Sequence, residues 1–360
     1  MLWKYFLIFS FLIQAVLLFG NDTISNPVNF AIKPQYGLIL AHSSKIEHLT
    51  NTNPHGVEAE LSWLRIKGKN YQQCNCYSKA GLSFLYINYS NPGIVGSSYS
   101  IIGFAEPFLI RTKFLQLSAR MGIGISYLDH IYDEIDNPEN LFFSTRFAFI
   151  THIDLNAYFK ISRNFNLMAY AKYNHISNGG IKSPNYGMNF PTFGIGFNYY
   201  PTGIIEFPGF SKQKFIPFNF LNLYTFGTIK TIEKDAVNPE EQRFIFGFYG
   251  IAGRKIAKIN GLSAGLEYIN DGASKEKIDR QNLSTDHQQV SFLIGHHFLF
   301  GMFDFSQYWG IYVYAPYKVS NFYQRYSITY RLAKHILIGA TLKVHGDWAD
   351  NFNLLIGYSF

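Results

Sequence analysis

The sequence predicts an all-β fold: a transmembrane antiparallel β-barrel of about 16 strands (roughly 14–16) forming a single membrane domain. Three observations predict it. Aromatic residues make up 18% of the 360 residues, with 35 Phe and 26 Tyr, while only 15% are charged, against about 25% in soluble domains. Mean hydropathy is nonetheless near zero, at -0.02, and after the N-terminal stretch no apolar run reaches the ~18 residues that a membrane helix requires. Strands that alternate lipid-facing and lumen-facing residues combine these properties, because alternation averages the hydropathy away. The third observation is the final segment "FNLLIGYSF", which places Phe352, Leu354, Ile356, Tyr358 and the terminal Phe360 on one face. A last strand ending on an aromatic resembles the signal by which bacterial outer-membrane barrels are recognised for insertion, so barrel-insertion machinery is an expected partner.

The start, "MLWKYFLIFSFLIQAVLLFG", has Lys4, an apolar stretch and then small or polar residues. It reads as a secretory signal peptide over 1–20, leaving 21–360 as the barrel. The clearest strand is "LQLSARMGIGISYL". Leu115, Leu117, Ala119, Met121, Ile123, Ile125 and Tyr127 share one face, and Gln116, Ser118, Arg120, Gly122, Gly124 and Ser126 the other. Side chains of a strand repeat with period two, so this segment is half lipid-facing and half lumen-facing. The same pattern predicts strands near 34–44, 56–66, 80–89, 98–110, 115–128, 144–160, 163–177, 190–200, 218–231, 242–253, 256–270, 288–300, 306–315, 321–332, 335–345 and 350–360.

The links supply an independent check, since such barrels have short turns at one end and longer loops at the other. Short links such as "IRTK", "ISRN", "AGRK" and "RLAKH" follow even-numbered strands, whereas "DHIYDEIDNPEN" and "NDGASKEKIDRQNLSTD" follow odd-numbered ones. Residues 67–79 and 201–217 are long for the short-turn end. The second of these, "PTGIIEFPGFSKQKF", allows an alternative to single closure, a join between two smaller barrels.

The net charge is +7 and the isoelectric point about 9.1. Its basic residues are scattered and form no Lys/Arg-rich run, so no nucleic acid is expected; a lipopolysaccharide-rich surface is the natural anionic partner. Cys74 and Cys76 in "QQCNCYS" are the only cysteines. They allow a reduced pair, a bridge or a weak metal site, and one C-x-C lacks the further ligands of a zinc site.

Chemistry concentrates in "YNHISNGGIKSPNYGMN", residues 173–189. Leu167, Ala169, Ala171 and Tyr173 share parity with His175 and Ser177, while Asn166, Met168, Tyr170, Lys172 and Asn174 form the more polar, lumenal face. The histidine and serine therefore stand on the lipid face with α-carbons about 6.5–7 Å apart, at the outer end of the seventh strand. A polar pair there is costly unless it meets headgroups or does chemistry. A hydroxyl beside an imidazole supplies nucleophile and base, and Asn178, Gly179, Gly180 and Asn185 bring amide donors for an oxyanion. An H-x-S dipeptide beside an N-G-G turn also arises without function.

The segment resembles the active-site stretch of the lipid A 3-O-deacylases, outer-membrane barrel esterases of Gram-negative bacteria. The family pattern is H-x-S-N, then P-N-x-G, then an acid two residues after that glycine. His175, Ser177, Asn178, Pro184, Asn185 and Gly187 match in identity and spacing, and the likeness spans roughly 30–200. Residues 205–360, which carry the additional strands and the terminal aromatic signal, have no counterpart in the compact eight-stranded members. The resemblance implies an outer-membrane hydrolase acting on an ester-linked acyl chain of lipid A within lipopolysaccharide. Ser177 would be nucleophile, His175 base, and the Asn178 backbone N–H with the Asn185 side chain the oxyanion hole. The acid position carries Asn189, which can hold an imidazole but cannot stabilise an imidazolium as a carboxylate does. No metal or organic cofactor is implied. The rival expectation is a porin or transport barrel in which the motif is non-catalytic.

Other polar groups point less clearly to chemistry. "HGDWADN", with His345, Asp347 and Asp350, fits a cation site or a plain polar loop. His296 and His297 must face opposite sides of one strand. Trp63, Trp309 and Tyr314 suit an interfacial aromatic girdle, and Asp154 is expected in the lumen.

Overall fold

The computed structural model describes residues 26–360 except 113, 205, 206, 208, 210, 213 and 347; the predicted leader at 1–20 lies outside these. Eight antiparallel strands form a first barrel: β1 (Val28–Gly37), β2 (His55–Arg65), β3 (Ser78–Asn88), β4 (Ser97–Arg111), β5 (Leu115–Leu128), β6 (Phe147–Lys160), β7 (Phe165–Ser177) and β8 (Met188–Tyr199). Eight more form a second: β9 (Phe218–Ile232), β10 (Glu241–Lys255), β11 (Asn260–Asp271), β12 (Gln288–Phe300), β13 (Phe303–Tyr314), β14 (Phe322–Arg331), β15 (Ile336–His345) and β16 (Trp348–Ser359).

The expectation of one barrel of about 16 strands in a single membrane domain is corrected here. The strand count stands, but the sheet closes twice, as two barrels of eight strands. β1 pairs β8, with Phe30 opposite Tyr199 and Gly37 opposite Thr192; β9 pairs β16, with Leu354 opposite Gly227 and Ser359 opposite Asn222. The link after β8 contains Pro201, Pro208 and Pro217, which cannot donate to a ladder of their own, and β8 pairs β1, not β9. The first strand also sits earlier than expected, at Val28–Gly37 instead of 34–44.

Outward faces are apolar on both barrels. Ile125, Leu155 and Ile195 on the first and Leu266, Ile294 and Ile356 on the second are all more than half exposed. Among the described residues no helix is long and apolar enough to cross a membrane.

The first lumen is filled by charge. Arg120 reaches Glu58 at 2.6 Å and Glu60 at 2.8 Å. Lys79 pairs Glu60 at 2.7 Å and Glu106 at 3.3 Å, Lys33 pairs Asp154 at 3.3 Å, and Lys172 also contacts Glu58. Four cations thus face four anions, all fully buried on their side chains. An eight-stranded barrel is just wide enough for side chains to fill it, and these do.

Both ends are capped. The long link between β2 and β3 contains a helix, Gly68–Cys74, closed by a Cys74–Cys76 disulfide. Tyr77 beside it packs on Phe207 at 4.8 Å and under the Arg111 guanidinium at 4.2 Å. At the long-loop end, Phe142 and Phe143 from the β5–β6 link bury against Tyr89, Ile176 and Phe190.

Removing one partner of a buried ion network strands the others. Arg120→Leu leaves Glu58 and Glu60 short of their shared cation and is expected to destabilise the folded barrel by about 3–5 kcal/mol. A urea titration in detergent micelles checks this, and an unshifted midpoint would contradict it.

Candidate functional site

β7 delivers the motif as its period dictates. Asn166, Met168, Tyr170, Lys172 and Asn174 are buried in the lumen, while His175 and Ser177 face outwards and are partly exposed. Antiparallel pairing with β8 sets Asn189 directly opposite His175. His175 Nδ1 lies 2.7 Å from Asn189 Oδ1. A carbonyl oxygen only accepts, so Nδ1 carries the proton and Nε2 keeps its lone pair. That is the tautomer a general base needs.

The orientation of Asn189 is fixed in turn by His42, a residue the motif does not contain. Asn189 Nδ2 donates to His42 Nδ1 at 3.3 Å, and His42 Nε2 donates to the Tyr186 carbonyl at 2.9 Å. Three side chains, His175, Asn189 and His42, therefore form one directed hydrogen-bond chain ending on the backbone of the site loop. The backbone joins as well, since Leu40 N–H donates to the Asn189 carbonyl at 2.8 Å. His42 comes from the segment after β1, 133 residues before His175, and nothing in its own surroundings marks it; only the β1–β8 closure brings it in.

Ser177 accepts a long bond from Gly179 N–H at 3.4 Å. Asn178 and Asn185, the two expected oxyanion donors, meet each other: Asn178 N–H donates to Asn185 Oδ1 at 3.0 Å. This engages the backbone donor and leaves Asn185 Nδ2 as the donating end of that amide. Gly187 has a φ of 68°, and a Cβ built there would come within 3.1 Å of both His175 Cε1 and Ser177 Cβ. A glycine is therefore required between His175 and Ser177, for conformation and for space.

The loop is held from the β5–β6 link. Asn178 Nδ2 donates to Ser144 Oγ at 3.1 Å and to Lys182 O at 2.7 Å, and Gly187 N–H donates to Phe142 O at 3.2 Å. It is held equally by the second barrel. Phe352 N–H donates to Gly179 O at 2.9 Å, and Thr231 N–H to Ile181 O at 2.8 Å. The Phe352 ring stacks on Phe149 at 3.9 Å, and Phe149 is the residue paired with Ser177 across β6–β7. Lys182 also meets Glu240 at 3.1 Å.

The remaining expectations resolve simply. Asp154 is lumenal and buried. His296 faces outwards and His297 inwards. His345 and Asp350 lie 3.6 Å apart, with Asp350 also on Lys230 at 2.9 Å, while Asp347 lies outside the described residues. Among the described residues no cluster has the ligands to hold a metal ion.

Two family models match the chain, one per barrel. Residues 50–198 match "Lipid A 3-O-deacylase (PagL)" and residues 219–360 match "Acyloxyacyl hydrolase, C-terminal domain". No curated protein matches. Similar solved structures include the outer-membrane enzyme PagL, at 15% identity and a TM-score of 0.31, covering 47% of this chain and 97% of that one. The siderophore receptor PirA from Acinetobacter baumannii aligns at 9% identity and a TM-score of 0.25, over 91% of this chain and 44% of its own. A triple mutant of the Rhodopseudomonas blastica porin gives 9% identity and a TM-score of 0.19, over 92% and 99%.

The contact between the barrels can be loosened at one atom. Gly179 has a φ of 69°, and a Cβ there would approach Phe352 Cβ to 2.5 Å. Gly179→Ala is expected to break the Phe352 hydrogen bond, worth about 1 kcal/mol net, so amide exchange at Phe352 should accelerate about fivefold. Hydrogen-exchange mass spectrometry reads this, with β4 and β5 unchanged; an unaltered Phe352 rate would contradict the contact.

Proposed function

With its first barrel in the lipid A 3-O-deacylase family and its second matching the acyloxyacyl hydrolase C-terminal domain, we propose that this outer-membrane protein hydrolyses an ester-linked acyl chain of lipid A at His175 and Ser177. The observation that carries the reading is the 2.7 Å bond from His175 Nδ1 to Asn189 Oδ1 on the outward face of β7. It leaves Nε2 free to act as the base, on the same outward strand face as Ser177.

In this mechanism Ser177 Oγ attacks the ester carbonyl as His175 Nε2 takes its proton. Asn189 holds the imidazole, and its amide dipole supports the imidazolium less than a carboxylate would. His42 compensates in geometry by fixing which end of Asn189 faces the base. The oxyanion is received by Asn185 Nδ2 and by Gly179 N–H, whose long bond to Ser177 Oγ is readily exchanged. His175 then returns the proton to the leaving alkoxide, and water repeats the sequence on the acyl-serine.

The porin alternative required one wide lumen. Two barrels of eight strands, with Arg120 filling the first and Arg325 buried in the second, leave no such channel, and this favours the esterase.

Mass spectrometry of lipid A from cells carrying wild type or Ser177→Ala tests the reading: an acyl chain should be lost only with the serine present, and identical spectra would sink it. The acid position has its own test. Asn189→Glu should preserve or raise deacylation, provided His42 donates to the new carboxylate. His42→Ala in the natural chain should lower kcat about fivefold, the value of one hydrogen bond. An unchanged kcat in that variant would remove His42 from the site.

A further inference from the structure

The second barrel holds a Ser-His-Asp constellation that the deacylase reading does not use. Ser263 on β11, His297 on β12 and Asp304 on β13 all face its lumen. Ser263 Oγ lies 2.7 Å from His297 Nε2, and His297 Nδ1 lies 2.9 Å from Asp304 Oδ2 and 3.1 Å from Oδ1. A carboxylate only accepts, so Nδ1 donates and Nε2 must accept the serine O–H. The partition of roles is that of an activated serine: nucleophile on Nε2, orienting acid on Nδ1. Ser306 Oγ adds a bond to Asp304 at 3.4 Å.

The surroundings of Ser263 separate it from an ordinary filled lumen. Its neighbours on the same face along β11 are Gly261 and Gly265. Its partners directly across are Gly253 on β10 and Gly295 on β12. All four positions around the hydroxyl therefore lack side chains. Two aromatic rings cover the space instead. A Cβ at Gly253 would strike Phe220 at 2.3 Å, and one at Gly295 would strike Tyr308 at 2.4 Å and come within 2.9 Å of Ser263 Oγ. Both rings also meet His297 edge to face, at 5.1 Å and 5.5 Å. Phe220 is near the start of β9 and only partly buried, and Asp304 is the second residue of β13. The group thus lies near the short-turn mouth, with Phe220 between it and solvent. The rings fill the space above the glycines, so a ligand would reach the hydroxyl only where one of them turns aside.

We propose that Ser263 is a second nucleophile, activated by His297 and Asp304, which takes short uncharged acyl groups from carboxylic esters entering past Phe220. Ser263 Oγ bonds to the ester carbonyl carbon as its proton passes to His297 Nε2. The alcohol leaves with that proton, and water then cleaves the acyl-serine, releasing the carboxylic acid and restoring the hydroxyl. The glycine floor and the aromatic walls set the substrate class: small, apolar at the acyl end, and without charge.

The test uses the full chain in detergent micelles with Ser177→Ala as background, so its outcome is independent of lipid A hydrolysis. A fluorophosphonate probe and p-nitrophenyl acetate are the reagents, and tandem mass spectrometry locates the adduct. The expected result is phosphonylation and acetylation of Ser263, lost in Ser263→Ala and slowed at least tenfold in Asp304→Asn. Adding Phe220→Ala to the background should accelerate labelling at least threefold. Absence of a Ser263 adduct in both the background and the Phe220→Ala form, each folded by its heat-shifted gel mobility, would overturn the proposal. So would a labelling rate indifferent to Asp304→Asn in folded protein.

Discussion

The width of an eight-stranded barrel is the constraint from which the rest follows. Such a lumen is just wide enough for its own side chains, and in the first barrel Arg120, Lys33, Lys79 and Lys172 occupy it with their four carboxylate partners. A large amphipathic substrate has no route inside. The chemistry proposed for it lies on the outward face, where strand parity puts His175 and Ser177. The buried charges also fix rotation and register. Arg120 on β5 reaches Glu58 and Glu60 on β2, across the barrel from one wall to another, so a slip of one residue in β5 would turn it towards lipid.

Asn189 in place of an expected acid changes how the His175 imidazole is held more than whether it is held. A carboxylate orients an imidazole by charge and needs no polarity of its own. An amide has two different ends, and the wrong one would force a proton onto Nε2. His42 settles this by accepting from Nδ2, so Oδ1 is the end left for His175. The amide therefore comes with a partner that a carboxylate site does not require, and the two should be read as one unit.

Strand positions were legible because alternation is a local property; all sixteen expected segments overlap an observed strand. Closure was not, because whether β8 pairs β9 or returns to β1 depends on long-range register, and only the proline-bearing link after β8 hinted at it. His175 and Ser177 were legible from parity and spacing, and Asn189 only through the family resemblance. His42, Ser144 and Phe352 were not, since each reaches the site across the fold with no local pattern. The engagement of Asn178 N–H by Asn185 escaped notice for another reason. Two residues assigned as separate donors can satisfy each other, and sequence spacing does not say which way an amide turns. The Ser263, His297 and Asp304 group was hidden the same way: three adjacent strands contribute one residue each, and His297 drew attention only as half of a histidine pair.

The second barrel gives a physical reason for doubling a compact fold. The loop after β7 must hold Gly179 and Gly180 at φ of 69° and 82°, and glycine loses the most freedom on ordering. Without the second barrel the Gly179 and Ile181 carbonyls would lose the partners they have here. Here Gly179 O accepts from Phe352 and Ile181 O from Thr231, while Phe352 stacks on the ring next to Ser177. Lipid offers no hydrogen bonds to irregular backbone, whereas the second barrel supplies them. The added barrel accordingly contributes backbone and ring contacts to the loop beside Ser177 that the strands of the first barrel do not supply.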